Sequence, residues 1–589
     1  MVKQEITVLR QLRSRAFPLA LSWSILLTGA LLVEGCNSVR VAERTPLPAT
    51  RPEAMRSYVS ALAGFGEKAV GSYAGSAAAE WILGEMAALG LEDPHFEAFA
   101  FPYNAYRTYP LTITVGGHSQ ELTYDVLEAS GGTAGGVLQA ELAYVNIGAP
   151  EDFFGRDLAG KIAVLKRDEN YDRSVQLQNT IAAGAAAMLY VSQAPGNLRQ
   201  VGTVRHTFEP SHPIPALSIG MQDGQALIQA LQAGTPVSAS VRLDVTLSPL
   251  EAPAHGRNVI GRIPGEDANH VILVSAHYDS WKAGASDNAS GVAGILGVAR
   301  RELARYRQLG RKPRYTLVFI AYDGEEIDLY GGYDYLRKHV FTPQPQLVLA
   351  SVNLEMPVGA DLASQASYPD TAQPTWSVIH SRIAVLEQTL ATVGRRLSAP
   401  LYPKLQGIDD IARVSGGIIA TDIQPHFRAG IPTLCTWTGT PWYHTSMDDP
   451  EHLDYEFLAR AVDYFGDVLA ELMTRAPSEF AEVDPSLLKA KVTPGIRSSS
   501  SEDLAVEVEV TGLTGQPAGG VPLTVELLVR DFFPAWSDAS GKIVTDASGR
   551  ARFTVPAAAL NLAPDGRFLD VTGGKAYPVV EVSAPVLGP

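Results

Sequence analysis

Four apolar runs in this chain each close on residues that carry charge or can bind a metal, and they set the limits on how it can fold. The first, V-I-L-V-S-A over 271–276, contains β-branched residues and runs straight into His277 and Asp279. A continuous apolar run of that length is the pattern of a strand buried on both faces of a parallel sheet. The second, R-Y-T-L-V-F-I-A-Y over 314–322, ends in Asp323, Gly324, Glu325 and Glu326. The third, over 347–354, ends in Glu355, and the fourth, over 431–437, leads through a loop to Tyr443, His444 and Thr445. Open α/β sheets place functional groups just outside the carboxyl ends of their strands. The four runs therefore predict an α/β fold with two imidazoles and several carboxylates on one sheet edge.

Ten residues after His277 stands Asp287, followed by Asn288, Ser290, Gly291 and a helical apolar pattern through Val292, Ile295, Leu296 and Ala299. A single His-x-Asp at a strand end is more often a hydrogen-bonded structural pair; its weight here comes from repetition along the same edge. Imidazole and carboxylate without thiolate suit zinc, or manganese or cobalt, in a hydrolytic site. Five such ligands with one carboxylate shared suffice for two ions and leave positions for water.

The segments H-Y-D-S-W, G-A-S-D-N-A-S-G, D-G-E-E, N-L-E-M and W-Y-H-T-S-M-D-D-P-E-H-L-D, in that order, resemble the signature of the co-catalytic dizinc aminopeptidase and glutamate carboxypeptidase family. The resemblance spans 51–476 and implies a mixed-sheet zinc-exopeptidase fold with two zinc ions per chain. It implies that His277, Asp287 and Glu355 hold one zinc and Asp287, Glu326 and His444 the other, with Asp287 bridging. Asp279 would orient His277 through its second ring nitrogen, as metal-bound histidines usually require. Glu325 would be the general base toward a metal-bridging water, and Tyr443 a donor to the oxyanion. One departure is visible: the family usually has Asp where this chain has Glu355.

Within the family, the short H-Y-D-S-W-K-A-G-A-S-D loop resembles the glutamate carboxypeptidases, whereas Y-H-T-S-M-D-D-P-E-H-L-D and the plain D-N-A-S-G resemble the aminopeptidases. An aminopeptidase holds a free ammonium beside the metals, which Glu325 and Glu355 can face at short range. A carboxypeptidase needs arginines that grip a carboxylate, for which Arg413 and Arg428 are the candidates. The first expectation is thus an aminopeptidase acting on N-terminal residues of peptides, and the alternative a glutamate-carboxypeptidase-like enzyme. A glutaminyl-cyclase-like transferase needs one zinc, and a fold kept only for binding would have lost ligands or base. The full ligand set argues against both.

Residues 53–124 and 250–477 are expected to form the catalytic domain in two pieces. The segment between them, 125–249, has its own α/β alternation in K-I-A-V-L-K-R, T-I-A-A-G-A-A-A-M-L and P-I-P-A-L-S-I-G. It resembles the protease-associated domain inserted in this family, and its His206 and His212 lack ligand spacing. In T-D-I-Q-P-H-F-R-A-G-I-P, which looks like a family segment near the substrate pocket, His426 is expected to be a packing or surface residue in preference to a cleft residue. After a linker over 478–502, D-L-A-V-E-V-E-V-T-G and V-P-L-T-V-E-L-L-V alternate at period two. Short alternating strands between turns predict a β-sandwich over 503–589, resembling bacterial immunoglobulin-like modules.

The formal net charge of −16 argues against a nucleic-acid partner. Cys435 lies in the apolar run I-P-T-L-C-T-W as a small hydrophobe. The chain opens with Lys3, Arg10, Arg13 and Arg15, then an apolar segment over 16–33 that ends in Glu34, Gly35 and Cys36. This charge-then-apolar order is that of a secretory signal. Val33, Gly35 and Cys36 resemble a lipobox, which implies a lipidated Cys36 after a 1–36 signal, a tether over 37–52, and a place in the bacterial cell envelope. Asn37 resembles outer-membrane sorting, facing periplasm or exterior, and the alternatives are a signal anchor or secretion. Mass spectrometry of the mature N-terminus tests this: a lipid-modified Cys36, lost in Cys36→Ser, is expected, and an unmodified chain beginning before Cys36 contradicts it.

Overall fold

The strand Asp267–His277 lies inside an eight-stranded sheet and is buried along its carboxyl half. The order across the sheet is Glu92–Phe101, Ala254–Ile263, Tyr315–Tyr322, Asp267–His277, Leu347–Asn353, Thr433–Trp437, Ser377–His380 and Lys404–Gly407. The four strands from Tyr315–Tyr322 to Thr433–Trp437 run parallel, with antiparallel pairings on either side. This computed structural model describes residues 47–560 and 579–583 apart from short internal stretches, of which 361–376 and 409–420 are the longest. Cys36, His206, His212, Arg413 and the side chain of Arg428 lie outside the described residues. Among the described residues no helix is long and apolar enough to cross a membrane.

The order of the parallel strands creates the site. From the His277 strand the chain passes through the helix Ser290–Leu309 to Tyr315–Tyr322 on one side. It then returns through the helix Tyr330–His339 to Leu347–Asn353 on the other. Where successive crossovers part to opposite sides, a crevice opens beyond the strand ends, and His277 stands at its floor. Both sheet faces are covered, as the unbroken apolar runs require. Ile272, Val274 and Ala276 point into a large core with residues of the helices Pro52–Ala63, Tyr73–Leu89, Ser290–Leu309 and Tyr455–Leu472. Val271 and Leu273 point to the other face, with Val318, Ile320, Tyr322 and Tyr335.

A second eight-stranded sheet is built from His118–Leu122, Leu111–Val115, Val237–Val241, Leu138–Tyr144, Ile162–Lys166, Ala187–Val191, Ala216–Ile219 and Tyr124–Val126. Its two faces bury separate apolar clusters. The insert therefore begins earlier than residue 125. Residues 111–122 form a hairpin that pairs with Val237–Val241, because Leu111 and Ile113 alternate inward against its core. The two-stranded pairing of Asn104–Thr108 with Leu243–Leu247 joins the two bodies.

The C-terminal region forms two three-stranded antiparallel sheets around Val506, Val508, Val510, Leu523 and Val525. Its first strand, Leu488–Pro494, pairs with Leu504–Gly512, so this module starts within the expected linker. The alternation in L-K-A-K-V-T-P is the signal that a boundary drawn at the serine run passes over.

On the helix Ser290–Leu309, Glu302 is fully buried and accepts from Arg305 Nε at 3.0 and 3.2 Å. Burial, against the pull of Arg305, raises its pKa from 4.5 to about 7. The folded chain thus holds this proton more tightly than the unfolded one. Its stabilising contribution is complete below about pH 4.5 and lost as pH rises through about 7. In thermal unfolding at pH 5 and pH 8, Glu302→Gln should gain stability relative to the parent as pH rises. A parallel pH dependence of the two chains would contradict this.

Candidate metal centre

Each acid and imidazole of the site is delivered by the end of a parallel strand or by a loop packed against one. His277 ends its strand fully buried, and its Nδ1–H donates to the main-chain carbonyl of Asp279 at 3.0 Å. The Asp279 carboxylate is farther from that nitrogen, at 3.5 Å, and accepts instead from the amides of Glu325 and Glu326 at 3.2 and 3.1 Å. Asp279 thus ties the His277 loop to the Glu325 loop, and the ring nitrogen meets its backbone oxygen more closely than its carboxylate.

Asp287 sits in a tight turn before the helix Ser290–Leu309. The turn is fixed by Asp448, whose carboxylate accepts from the amide of Ser286 at 2.7 Å, its hydroxyl at 2.6 Å and the amide of Asp287 at 3.1 Å. Asn288 completes it: Oδ1 accepts from Gly291 and Met356, and Nδ2 donates to the Leu354 carbonyl and to Glu355 Oε2 at 3.2 Å. Gly291 has to be glycine, since a β-carbon there would fall 2.2 Å from the Leu354 oxygen. The peptide bond between Asp287 and Asn288 is cis. Glu355 is held from behind by Thr436, which exchanges two 2.8 Å hydrogen bonds with its main chain.

These supports converge on two groups. Ligand atoms of His277, Asp287 and Glu355 lie within 4.8 Å of one another, and so do those of Asp287, Glu326 and His444. Both groups are buried and share Asp287, and they are the same two triplets that the resemblance implies. His277 Nε2 is 3.1 Å from Asp287 Oδ1 and 3.3 Å from Glu355 Oε1. His444 Nε2 is 2.9 Å from Asp287 Oδ2 and 3.2 Å from Glu326 Oε2. Glu325 stands beside them, with Oε2 3.9 Å from His277 Nε2.

The electrostatics of this cluster call for cations. Burial, aided by neighbouring carboxylates, pushes Glu325 well above the usual range, raises Glu326, and lifts Glu355 to about 8. Burial would lower both histidines. It is outweighed at His277 by Glu355 and Glu325, which hold it well above its ordinary value, and at His444 by Glu326 and Asp287, which hold it at about 9. Asp287 Oδ1 and Glu326 Oε1 are buried without any hydrogen bond. Such atoms are costly to leave unpaired, and they are hard donors of the kind that zinc accepts. The residues present therefore fit divalent ions.

Tyr443 stacks on His444 with ring centroids 3.7 Å apart, which brings it to the site's edge. His426 is not in the cleft: it is fully buried between the Tyr322 hydroxyl at 3.1 Å and Ser351 Oγ at 3.2 Å, and burial lowers its pKa to about 4. Cys435 is a buried free thiol.

Two buried residues beside the cluster carry no sequence signal of their own. Asp448 is one acid in the run D-D-P-E, and only its contacts single it out. Lys68 is fully buried, donates to the Ala283 carbonyl at 2.8 Å, and lies in the field of Asp448, Asp279 and Asp287. Burial lowers its pKa to about 8.

Residues 258–469 match peptidase family M28, and residues 121–227 match the PA domain. A probable leucine aminopeptidase 2 from Aspergillus fumigatus is 33% identical over 214 residues, 36% of this chain and 40% of that protein. A probable glutamate carboxypeptidase from Zea mays is 25% identical over 382 residues, 55% of this chain and 50% of the relative. The chain thus spans about half the length, or less, of these relatives. Among solved structures, a peptidase M28 precursor from Shewanella amazonensis superposes with a TM-score of 0.56 at 19% identity, covering 72% of this chain and 93% of that one. A zinc aminopeptidase from Bacillus subtilis gives 0.54 at 23%, covering 72% and 96%. The likeness to the solved structures agrees with the sheet order, and the chain is similar to peptidase family M28 over 258–469 and to the PA domain over 121–227.

Proposed function

We propose that the chain is a dizinc exopeptidase, and an aminopeptidase first. The observation that carries this reading is the pair of buried ligand triplets sharing Asp287. His277, Asp287 and Glu355 would hold one zinc, and Asp287, Glu326 and His444 the other. Bound there, the ions would polarise a peptide carbonyl and make a water acidic enough to attack near neutral pH. Glu325 has the place of the general base: it takes the proton of the attacking water on its carboxylate and hands it to the nitrogen of the leaving amine. Asp279 keeps Glu325 aimed by holding its amide. Burial of the site excludes bulk water and strengthens each of these interactions. Tyr443, beside His444, is the candidate donor to the oxyanion.

The surplus of carboxylates over imidazoles suits a substrate with a free ammonium at the scissile residue. A carboxypeptidase is the second reading, favoured by two arginines of the insert near Tyr443. Arg167 lies over its ring at 5.1 Å, and the half-buried Arg173 lies in its field. Peptide substrate, envelope tethering through Cys36 and the place of the chain outside the cytoplasm belong to the same proposal.

Three measurements test it. Elemental analysis of Asp287→Asn should show loss of metal, and its peptidase activity should fall with it. Glu325→Gln should keep the metal while turnover falls about 10² to 10⁴-fold, the range for loss of a general base; unchanged turnover would end the mechanism. A dipeptide amide with a free N-terminus and an N-acetylated dipeptide with a free C-terminus separate the two exopeptidase readings. Cleavage of the first alone is expected, and cleavage of the second alone moves the enzyme to the carboxypeptidases.

A further inference from the structure

The imidazole of His444 takes its outer hydrogen bond from the other body of the molecule. Its Nδ1–H donates to the carbonyl of Val201, at 3.0 Å, in the insert. The amide of Val201 donates back to the His444 carbonyl at 3.1 Å. One residue earlier, Gln200 Nε2 donates to the Tyr443 carbonyl at 3.2 Å. Three hydrogen bonds thus join two consecutive residues of the insert to two consecutive residues of the metal loop.

The insert presents this segment from a fixed mount. Gln200 Oε1 accepts from the amide of Gln193 at 2.9 Å and from Ser192 Oγ at 3.2 Å, which sets the amide's orientation so that Nε2 faces Tyr443. On the far side, Glu128 donates to the Gly202 carbonyl and accepts from Val204, at 2.9 and 2.8 Å. Arg173 Nε donates to the Thr203 carbonyl at 2.6 Å. Gly202 lies at φ 141°, a conformation that strains any residue with a β-carbon, so this turn favours glycine.

The metal loop needs such a partner. His444 lies in the left-handed region at φ 58°, which a residue with a β-carbon adopts only when its surroundings hold it there. A histidine that is to offer Nε2 must also keep its proton on Nδ1, and the acceptor facing Nδ1 decides this.

We infer that residues 200–201 of the inserted domain are positioning residues of the metal centre: they fix the tautomer and ring orientation of His444. The inference rests on the zinc reading above. It makes the insert part of the site holding Asp287, Glu326 and His444, whereas the site of His277 and Glu355 draws its supports from the catalytic sheet. Seating of the insert and affinity of that one site are consequently linked, each favouring the other.

The test uses the full chain and zinc itself. Gln200→Met removes the side-chain bonds to Tyr443, Gln193 and Ser192 that hold the Val201 main chain against His444, and Gln200→Glu keeps the acceptor for Gln193 but loses the donor to Tyr443. Leu227→Ala weakens the insert's core without touching the clamp. In chelator competition, both Gln200 variants should bind one of two zinc ions about 10 to 100-fold more weakly, with the second affinity and those of Leu227→Ala unchanged. Parental affinities in folded Gln200 variants would overturn the inference, as would equal weakening in Leu227→Ala. Should those variants not fold, nitrogen-15 NMR of the parent chain decides. A slowly exchanging Nδ1 proton on His444 with through-space contacts to Val201, with or without zinc, is expected, and a freely exchanging one overturns the clamp. A parent chain that takes up no zinc sinks the metal reading instead, and the proton measurement still reads the clamp.

Discussion

The structure depends on how buried negative charge is tolerated at one sheet edge. Asp279, Asp287, Glu326, Glu355 and Asp448 are all buried there, beside two histidines and Lys68. A carboxylate removed from water without a partner is strongly unfavourable. Part of the charge is met within the protein: Asp448 by two amides and a hydroxyl, Asp279 by two amides. Two oxygens of the cluster, Asp287 Oδ1 and Glu326 Oε1, are left without a hydrogen bond. The parallel sheet makes the concentration possible, because its strand ends bring residues distant in sequence to one crevice while its apolar runs secure the strands from both faces.

The candidate ligands were legible in the sequence because most stand at a strand end or in a short loop after one, where an apolar run stops and a charged residue begins, and the resemblance grouped them into two triplets. His277, Glu326 and Glu355 are of this kind, and Asp287 is marked by the D-N-A-S-G turn into its helix. The supports were less legible because their roles come from backbone contacts across long separations. Asp448 reaches Ser286 across 162 positions, and Val201 reaches His444 across 243. No local pattern encodes such a bond. The role of Asp279 shows the same limit: the sequence places it beside His277, but only the fold reveals that its carboxylate turns to the amides of Glu325 and Glu326.

Boundaries were harder to read than sites. The hairpin over 111–122 and the strand Leu488–Pro494 both have alternating patterns that fit either neighbouring body, and the sheet that gains a strand decides. The insert consequently starts earlier than its composition suggests and returns, through the Gln200 loop, to the loop that carries His444. On this reading the two bodies share a functional unit, with strands supplying one ligand triplet and the insert bracing a member of the other.

The central claim is the proposal that two cations, held by the triplets that share Asp287, would balance the buried charge. Crystals of the full chain grown with zinc, measured above and below the zinc absorption edge, test it most directly. The account predicts two anomalous peaks in the crevice beyond His277, one among His277, Asp287 and Glu355 and one among Asp287, Glu326 and His444. A single peak, or none at Asp287, would contradict it.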